Sequence, residues 1–282
     1  MTEPMIRGES NVVGLIPAAG QAKRIAPLPL SKELYPIGFQ IMNGRPEPRP
    51  KVVCHYLLEK LHLAGITEAF IVIRQGKWDI PAYFGDGTLA NMHLGYLIMR
   101  EPFGPPFTLD QAYHFLRNKL VAFGFPDILF DPEDVFKQLL DLQEACHADV
   151  VLALFPAHNP RVMDMVDMDK NGQVRAVSLK PGRTKLHFTW LCAVWTPVFT
   201  HFMHEHLQTY RRTVSQQDEK EDELKAGECT VGAVILAAII KGLKVYGVAF
   251  PDGKYVDIGT PEDLVKSVEL FGRGLPIRTP YR

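Results

Sequence analysis

An apolar run, Val12 to Pro17, ends in three small residues, Ala18-Ala19-Gly20, and two separated cations follow, Arg24 and Lys32. Such a run predicts a buried strand. The small residues after it predict a strand-to-helix turn whose backbone N–H groups can approach an anion, with fixed positive charge facing the same opening. That arrangement commits the N-terminal part of the chain to an α/β layout. It is not one of the common nucleotide fingerprints. No GxxxxGKS/T is present, and Gly20 is the only glycine between the strand and Arg24, which excludes GxGxxG. On the turn alone, an ordinary strand–helix connection with surface cations stands as an equal alternative.

The rest of the chain alternates strand-like runs with helix-period segments, the pattern of an α/β fold with a largely parallel central sheet. Helices are predicted at Val52–Ala64, Trp78–Phe84, Asp110–Lys119, Asp134–His147, Pro197–Tyr210, Thr230–Lys241 and Pro261–Phe271. Strands are predicted at Val12–Pro17, Ala69–Ile73, Leu94–Met99, Leu120–Phe125, Val150–Leu154, Val162–Met168, Val174–Leu179, Phe188–Trp195, Val245–Phe250 and Lys254–Ile258. Asn43–Pro50, rich in proline, reads as an extended loop at the rim of a site. Arg211–Glu228 is charged and reads as an exposed excursion. With 282 residues and 46% hydrophobic content, the chain suits one large domain or two small ones, and the pattern changes near residue 150.

Composition narrows the function. A net charge of −1 leaves no global basic field for a nucleic-acid backbone. The four cysteines, Cys54, Cys146, Cys192 and Cys229, are scattered without CxxC spacing, as expected of reduced, packed thiols in the cytoplasm. The polar N-terminus, MTEPMIRGES, lacks the apolar core of a signal peptide. The run from Val231 to Ile240 is too short to span a bilayer, so no membrane partner is expected.

Two acidic segments carry the candidate chemistry. In PDILFDPEDVF, Asp131-Pro132-Glu133-Asp134 has the form of a helix start, with Asp131 and Asp134 as caps. Asp127 instead falls at the C-terminal end of a strand, where open α/β sheets place ligands, and a carboxylate there suits a hard cation such as Mg2+. A turn-capping role is its alternative. In YVDIGTPEDL, Thr260-Pro261-Glu262-Asp263 starts the last helix. Asp257 lies inside a strand among apolar neighbours, so it faces solvent or needs a partner, and a metal is one such partner. Lys180 in SLKP ends another strand. HFMHEH offers His201, His204 and His206 without the spacing of a zinc site, which favours a structural role.

Together these segments resemble the nucleotide-sugar pyrophosphorylases, the family of glucose-1-phosphate thymidylyl- and uridylyltransferases, from about Val12 to Phe271. AAGQAKRIAPL resembles the family's GTRLxPLT loop, SKELYPIG its PKxLLPI segment, AYFGDG its YFGDG, FPDILFDPED its GDxLF strand end, YVDIGTPEDL its WxDIGTPEDL element, and SLKP its EKP segment. The resemblance implies a Rossmann-like three-layer sandwich with a mostly parallel mixed sheet. It implies a single nucleotidyltransferase domain whose residues of about 11–150 hold nucleotide and about 151–272 the acceptor.

By the same resemblance, Arg24 and Lys32 act on phosphate, Lys180 docks the acceptor phosphate, Asp127 and Asp257 hold Mg2+, and Ala18, Ala19, Gly20, Gln21 and Gly104 surround the nucleotide. The implied reaction joins a nucleoside triphosphate to a sugar 1-phosphate and releases pyrophosphate, in a cytoplasmic homodimer or homotetramer.

The departures fall mostly on the recognition side. Ala22 replaces a loop glycine, Ser31 a proline, Met99 a base-reading glutamine and Pro126 a glycine, and Arg24 and Lys32 are closer together than usual. Asp164, Leu179 and Thr189 stand where a glycine, an acid and an asparagine normally hold the sugar. A non-sugar phosphorylated acceptor, or a catalytically silent subunit that binds nucleotide sugar, therefore remain as alternatives. A dinucleotide-dependent oxidoreductase fits worse, for want of its glycines.

Overall fold

The computed structural model describes residues 11–42, 45–100, 103–217 and 229–272. The polar N-terminal segment and the charged stretch from 218 to 228 lie outside them. Strand β1 is Val12–Pro17, as its apolar run predicts. Residues predicted as a proline-rich loop instead pair in a hairpin of β2 (Pro36–Met42) and β3 (Arg45–Val52). Prolines two apart, such as Pro48 and Pro50, remove donors from one side of a strand only, so the other side can still pair. Then come α1 (Val53–Leu63), β4 (Glu68–Arg74), α2 (Asp79–Phe84) and β5 (His93–Met99), close to their predicted bounds.

The single helix predicted at 110–119 is two short ones, α3 (Pro105–Asp110) and α4 (Tyr113–Leu116). The helical region begins earlier because Gly104 supplies the cap and Pro105 the pre-set first turn.

After β6 (Leu120–Gly124) comes a strand that the capping motif concealed, β7 (Ile128–Asp131). Asp131 therefore ends a strand and does not cap a helix. The N-cap of α5 (Val135–Cys146) is Asp134, whose carboxylate accepts from the Gln138 side chain at 3.1 Å and from no backbone N–H. Next are β8 (Val150–Pro156), β9 (Met165–Met168), β10 (Val174–Ser178) and β11 (Phe188–Trp195). Helix α6 (Pro197–Gln217) runs past Tyr210 into the charged stretch expected to be an excursion. The chain closes with α7 (Val231–Ile240), β12 (Val245–Ala249), β13 (Lys254–Asp257) and α8 (Pro261–Phe271). Thr260 caps α8 as its sequence predicts, accepting from the Asp263 N–H at 3.2 Å and donating to the Asp263 carboxylate at 2.8 Å.

Among the described residues, nine strands form one mixed sheet in the order β10-β9-β11-β6-β1-β4-β5, with β8 beside β11 and β12 beside β8. The block β6-β1-β4-β5 is parallel throughout, and β11 runs against β6, β8 and β9. Side chains alternate between two cores. Val13, Leu15, Val121 and Phe123 face α3, α6 and α7, while Ile16, Ala122, Val151 and Ala153 face α1, α2 and α5. The result is a three-layer sandwich of the expected class. No helix among the described residues is long and apolar enough to cross a membrane.

The layer spacing is set where α1 crosses β1. A Cβ added at Gly14 would sit 2.8 Å from the Ala69 Cβ and 3.1 Å from the Leu61 Cδ1, and Ala69 is its paired residue on β4. Helix α1 thus lies close on the parallel block and buries Leu57, Leu58 and Leu61, each contributing roughly 1.5–3 kcal/mol relative to exposure. Gly14→Val should lower stability by about 1–3 kcal/mol through overpacking. Denaturant unfolding checks this, and an unchanged midpoint would contradict the packing account.

Candidate functional site

The C-terminal ends of β1, β4 and β6 share one rim, where a sheet of this kind leaves its crevice. Past β1 the chain is tied down at once. The Ala18 N–H donates to the Val72 carbonyl at 2.8 Å, and the Ala18 carbonyl accepts from Lys77 Nζ at 2.8 Å. Ala18 is buried with both backbone groups engaged, so it forms the base of the turn and offers no donor to a ligand. Gly20 is the opposite case. It is exposed, and a Cβ there would meet no protein atom within 4 Å. The fold does not require a glycine at that position, and the space beside it is the crevice itself.

Lys32 stands where three hollows meet. One of about 300 Å³ is lined by Ala19, Gly20, Gln21, Gly104 and Asp127 together with Lys32. A second, of about 410 Å³, lies on the other side of the turn. A third, of about 190 Å³, includes Arg24 and Gly259. A larger hollow, about 570 Å³, is elsewhere, between β2 and α1. Its lining includes Glu59 and Glu133 but no lysine or arginine among the described residues, so it is a poor home for a polyanion.

The two aspartates meet through a short antiparallel ribbon. Strand β13 pairs with β7 so that Asp257 lies opposite Ile128, and the Ile258 N–H donates to the Asp127 carbonyl at 3.1 Å. Lys32 Nζ forms an ion pair with Asp127 Oδ2 although 95 positions separate them, and both side chains are largely buried. Burial works against the charged Lys32, but Asp127, helped by Glu33 and Asp257, outweighs it and raises the pKa. Asp257 is pushed up to about 6, first by burial and then by the like charge of Asp127, against the pull of Lys32 and Arg24. Its Oδ1 is buried and without a hydrogen-bond partner among the described residues. Arg24, largely exposed, reaches within 3.9 Å of its other oxygen. Two neighbouring carboxylates with one buried orphan oxygen suit a hard divalent cation, so the donor set fits Mg2+.

Lys32 is itself held by contacts the sequence did not reveal. The Ser31 N–H and hydroxyl both donate to the Asp79 carboxylate, at 2.6 Å and 2.8 Å. A proline at position 31 could not donate that N–H, so Ser31 and Asp79 form a clamp specific to this pairing. Glu33 makes a buried ion pair with Lys77 at 2.7 Å, and the same ammonium bonds Ala18. Burial raises the Glu33 pKa, and Lys77 opposes the shift. These pairs span 44 and 48 positions, and only a sharp turn after β4 brings residues 77–79 beside 31–33.

Lys180 does not join this cluster. It is exposed at the end of β10 in a left-handed conformation (φ +43) and lines none of the hollows around Lys32. Its neighbour is Asp164, whose pKa is raised by burial against the pull of Lys180 and a hydrogen bond from Trp190. Asp164 Oδ1 is also buried without a partner among the described residues. Thr189 is buried within β11. The three histidines lie on α6. His204 bonds Asp110 at 2.8 Å and stacks on Tyr113, His201 bonds the Tyr113 hydroxyl at 3.0 Å, and His206 stacks on Phe202.

The nucleotidyl transferase family model matches residues 13–271. The chain belongs to that family. A mannose-1-phosphate guanylyltransferase of Mycobacterium tuberculosis is 25% identical over 94% of this chain and 66% of its own length. A glucose-1-phosphate thymidylyltransferase of Mycolicibacterium smegmatis is 27% identical over 62% of this chain and 57% of its own. The chain thus spans less than two thirds of the length of these relatives. A UDP-glucose pyrophosphorylase solved with UDP-glucose superposes with a TM-score of 0.69 at 16% identity, covering 91% of this chain and 97% of that one. A Bacillus anthracis structure assigned as a glucose-1-phosphate thymidylyltransferase, solved with sucrose, gives 0.72 at 16% identity, covering 92% and 94%. Both likenesses establish the fold of this nucleotidyl transferase family member.

Holding Asp257 ionised beside Asp127 costs stability, because its folded pKa lies above the ordinary carboxylate value and the charged form is disfavoured at neutral pH. Asp257→Asn should therefore stabilise the metal-free protein at pH 7.5. Solvent screening at a side chain 42% exposed reduces the expected gain to about 1 kcal/mol, or about 2–4 °C in Tm. Thermal unfolding in EDTA checks this, and a lower Tm would contradict it.

Proposed function

We propose that this protein transfers a nucleotidyl group from a nucleoside triphosphate to a sugar 1-phosphate, giving a nucleotide sugar and pyrophosphate. The observation that carries the reading is the meeting of Asp127 and Asp257 across the β7–β13 ribbon, with Lys32 paired to Asp127 at the edge of the hollow that holds Gly20 and Gln21. The relatives named for such transfers support it.

Joining two polyanions requires positioning and charge neutralisation more than a protein nucleophile. Asp127 and Asp257 would hold Mg2+, as their carboxylate oxygens suit a hard cation. Bound there, the ion supplies Lewis-acid polarisation and charge neutralisation at the α-phosphate. Gly20 and Gln21 would lie along the nucleotide, Gly20 leaving room for close approach, and Gly104 would border the same hollow. Lys32 would offset negative charge at the reacting phosphate. Its Ser31–Asp79 clamp and the Glu33–Lys77 pair keep it aimed before substrate arrives, so little reorganisation remains during reaction. Arg24, exposed and loosely tied to Asp257, would close on the leaving phosphates as a fork of donors. Lys180, apart on the acceptor half, would dock the attacking phosphate. Leu179 and Asp164 beside it make the acceptor the least defined partner, so the test must vary it.

Purified protein with Mg2+ and a matrix of nucleoside triphosphates and phosphorylated acceptors, mostly sugar 1-phosphates with phosphorylated amino-alcohols included, should release pyrophosphate only when a matched pair is present. Asp127→Asn should lower that turnover by about 10²-fold or more, the scale of losing one preorganised charged contact, with the circular-dichroism spectrum unchanged. No release from any pair, or full turnover in the variant, would refute the reading.

A further inference from the structure

The hollow of about 410 Å³ on the β4 side of the turn is lined by Gly20, Gln21, Ala22, Lys32, Arg74 and Lys77, among others. Its charges are almost all committed. Lys32 is paired with Asp127 and Lys77 with Glu33. Both Asp79 oxygens accept from Ser31, and one also accepts from the Ile80 N–H at 3.1 Å. Arg74 is the exception. It ends β4, at the rim where the parallel block presents ligands. Its Nε is buried and has no hydrogen-bond partner among the described residues. Its Nη1 makes one long bond, 3.3 Å, to the carbonyl of the adjacent Gln75. No carboxylate lies within ion-pair distance of it among the described residues.

A buried guanidinium donor left unpaired costs roughly 1–3 kcal/mol, which a suitably placed anion would recover. The neighbouring backbone leaves room for one. Gly76, in a left-handed conformation (φ +96), carries no side chain between the guanidinium and the hollow. Gly20 opens the same space from the other side. Arg74 lines a hollow roomy enough for a chain of phosphates next to the turn, and an arginine fork without an acid partner suits phosphate oxygens.

We propose that Arg74 is a second phosphate-gripping residue, holding the terminal phosphates of the bound nucleoside triphosphate and the pyrophosphate after transfer. This rests on the reading of the crevice as a triphosphate site. It adds a cation on the β4 side of the turn, opposite Arg24 on the Asp257 side, so the phosphate chain is held from both flanks. Arg74 positions the leaving group and takes no part in the bonds made and broken at the α-phosphorus.

The test is calorimetric binding of three probes to wild-type protein, Arg74→Gln and Arg74→Lys, in Mg2+: inorganic pyrophosphate, a nucleoside triphosphate and the matching monophosphate. Arg74→Gln should weaken pyrophosphate and triphosphate binding by about 10-fold or more and leave the monophosphate unchanged, with Arg74→Lys intermediate. A merely structural arginine would lower all three equally, and an idle one would lower none, and either result overturns the assignment. Wild-type protein that binds pyrophosphate through Arg74 but no nucleotide would support the phosphate site and sink the transferase reading. Wild-type protein that binds neither would overturn both.

Discussion

The site depends on one short antiparallel ribbon. Strand β7 comes from the middle of the chain and β13 from its last part, and their pairing places Asp257 opposite Ile128 and ties Ile258 to Asp127. Without it, the two carboxylates would belong to unrelated loops. With it, burial and the nearby charge of Asp127 raise the pKa of Asp257, and Asp127 draws Lys32 into an ion pair. The ribbon lies outside the main sheet, so the nine-stranded scaffold can be rigid while the acids are set by a separate, two-stranded device.

A second constraint is electrostatic. Cations crowd the turn after β1, and the fold restrains two of them with a dedicated acid: Lys32 with Asp127 and Lys77 with Glu33. Such pairing holds positive charge at the crevice without self-repulsion and fixes its direction. The arginines are treated differently. Arg24 is exposed and only loosely paired, and Arg74 has no acid at all among the described residues. Lys32 and Lys77 are thus held in place by close acids, whereas neither arginine has so close an acid among the described residues. Asp257 Oδ1 and Arg74 Nε are both buried without hydrogen-bond partners among the described residues, a cost the fold carries at this rim.

Much of this was legible in the chain. β1 ends at its small-residue turn and α8 begins at its Thr260 cap, as their sequences place them, because those signals are local. The α/β class followed from alternation, and Asp127 and Asp257 could be picked out because each sits beside strand-like residues where an acid needs a reason. Other features were hidden for physical reasons. β7 was masked by a Pro-containing helix-start motif, since its pairing with β13 is long-range. The β2–β3 hairpin was masked by prolines that spoil only one edge. The Ser31–Asp79 clamp and the Glu33–Lys77 pair join segments far apart, which no window can register. Lys180 stood out by its strand-end position, yet the fold sets it apart from the Lys32 hollows.

The most direct measurement is a double-mutant cycle on metal binding. Mn2+ affinity would be read by electron paramagnetic resonance in the presence of nucleotide, for wild-type protein, Asp127→Asn, Asp257→Asn and the double variant. If both carboxylates hold one ion, each single substitution should cost nearly as much as the pair, a strongly non-additive cycle. Losses that simply add, or an affinity that neither substitution changes, would mean that the two acids do not share an ion.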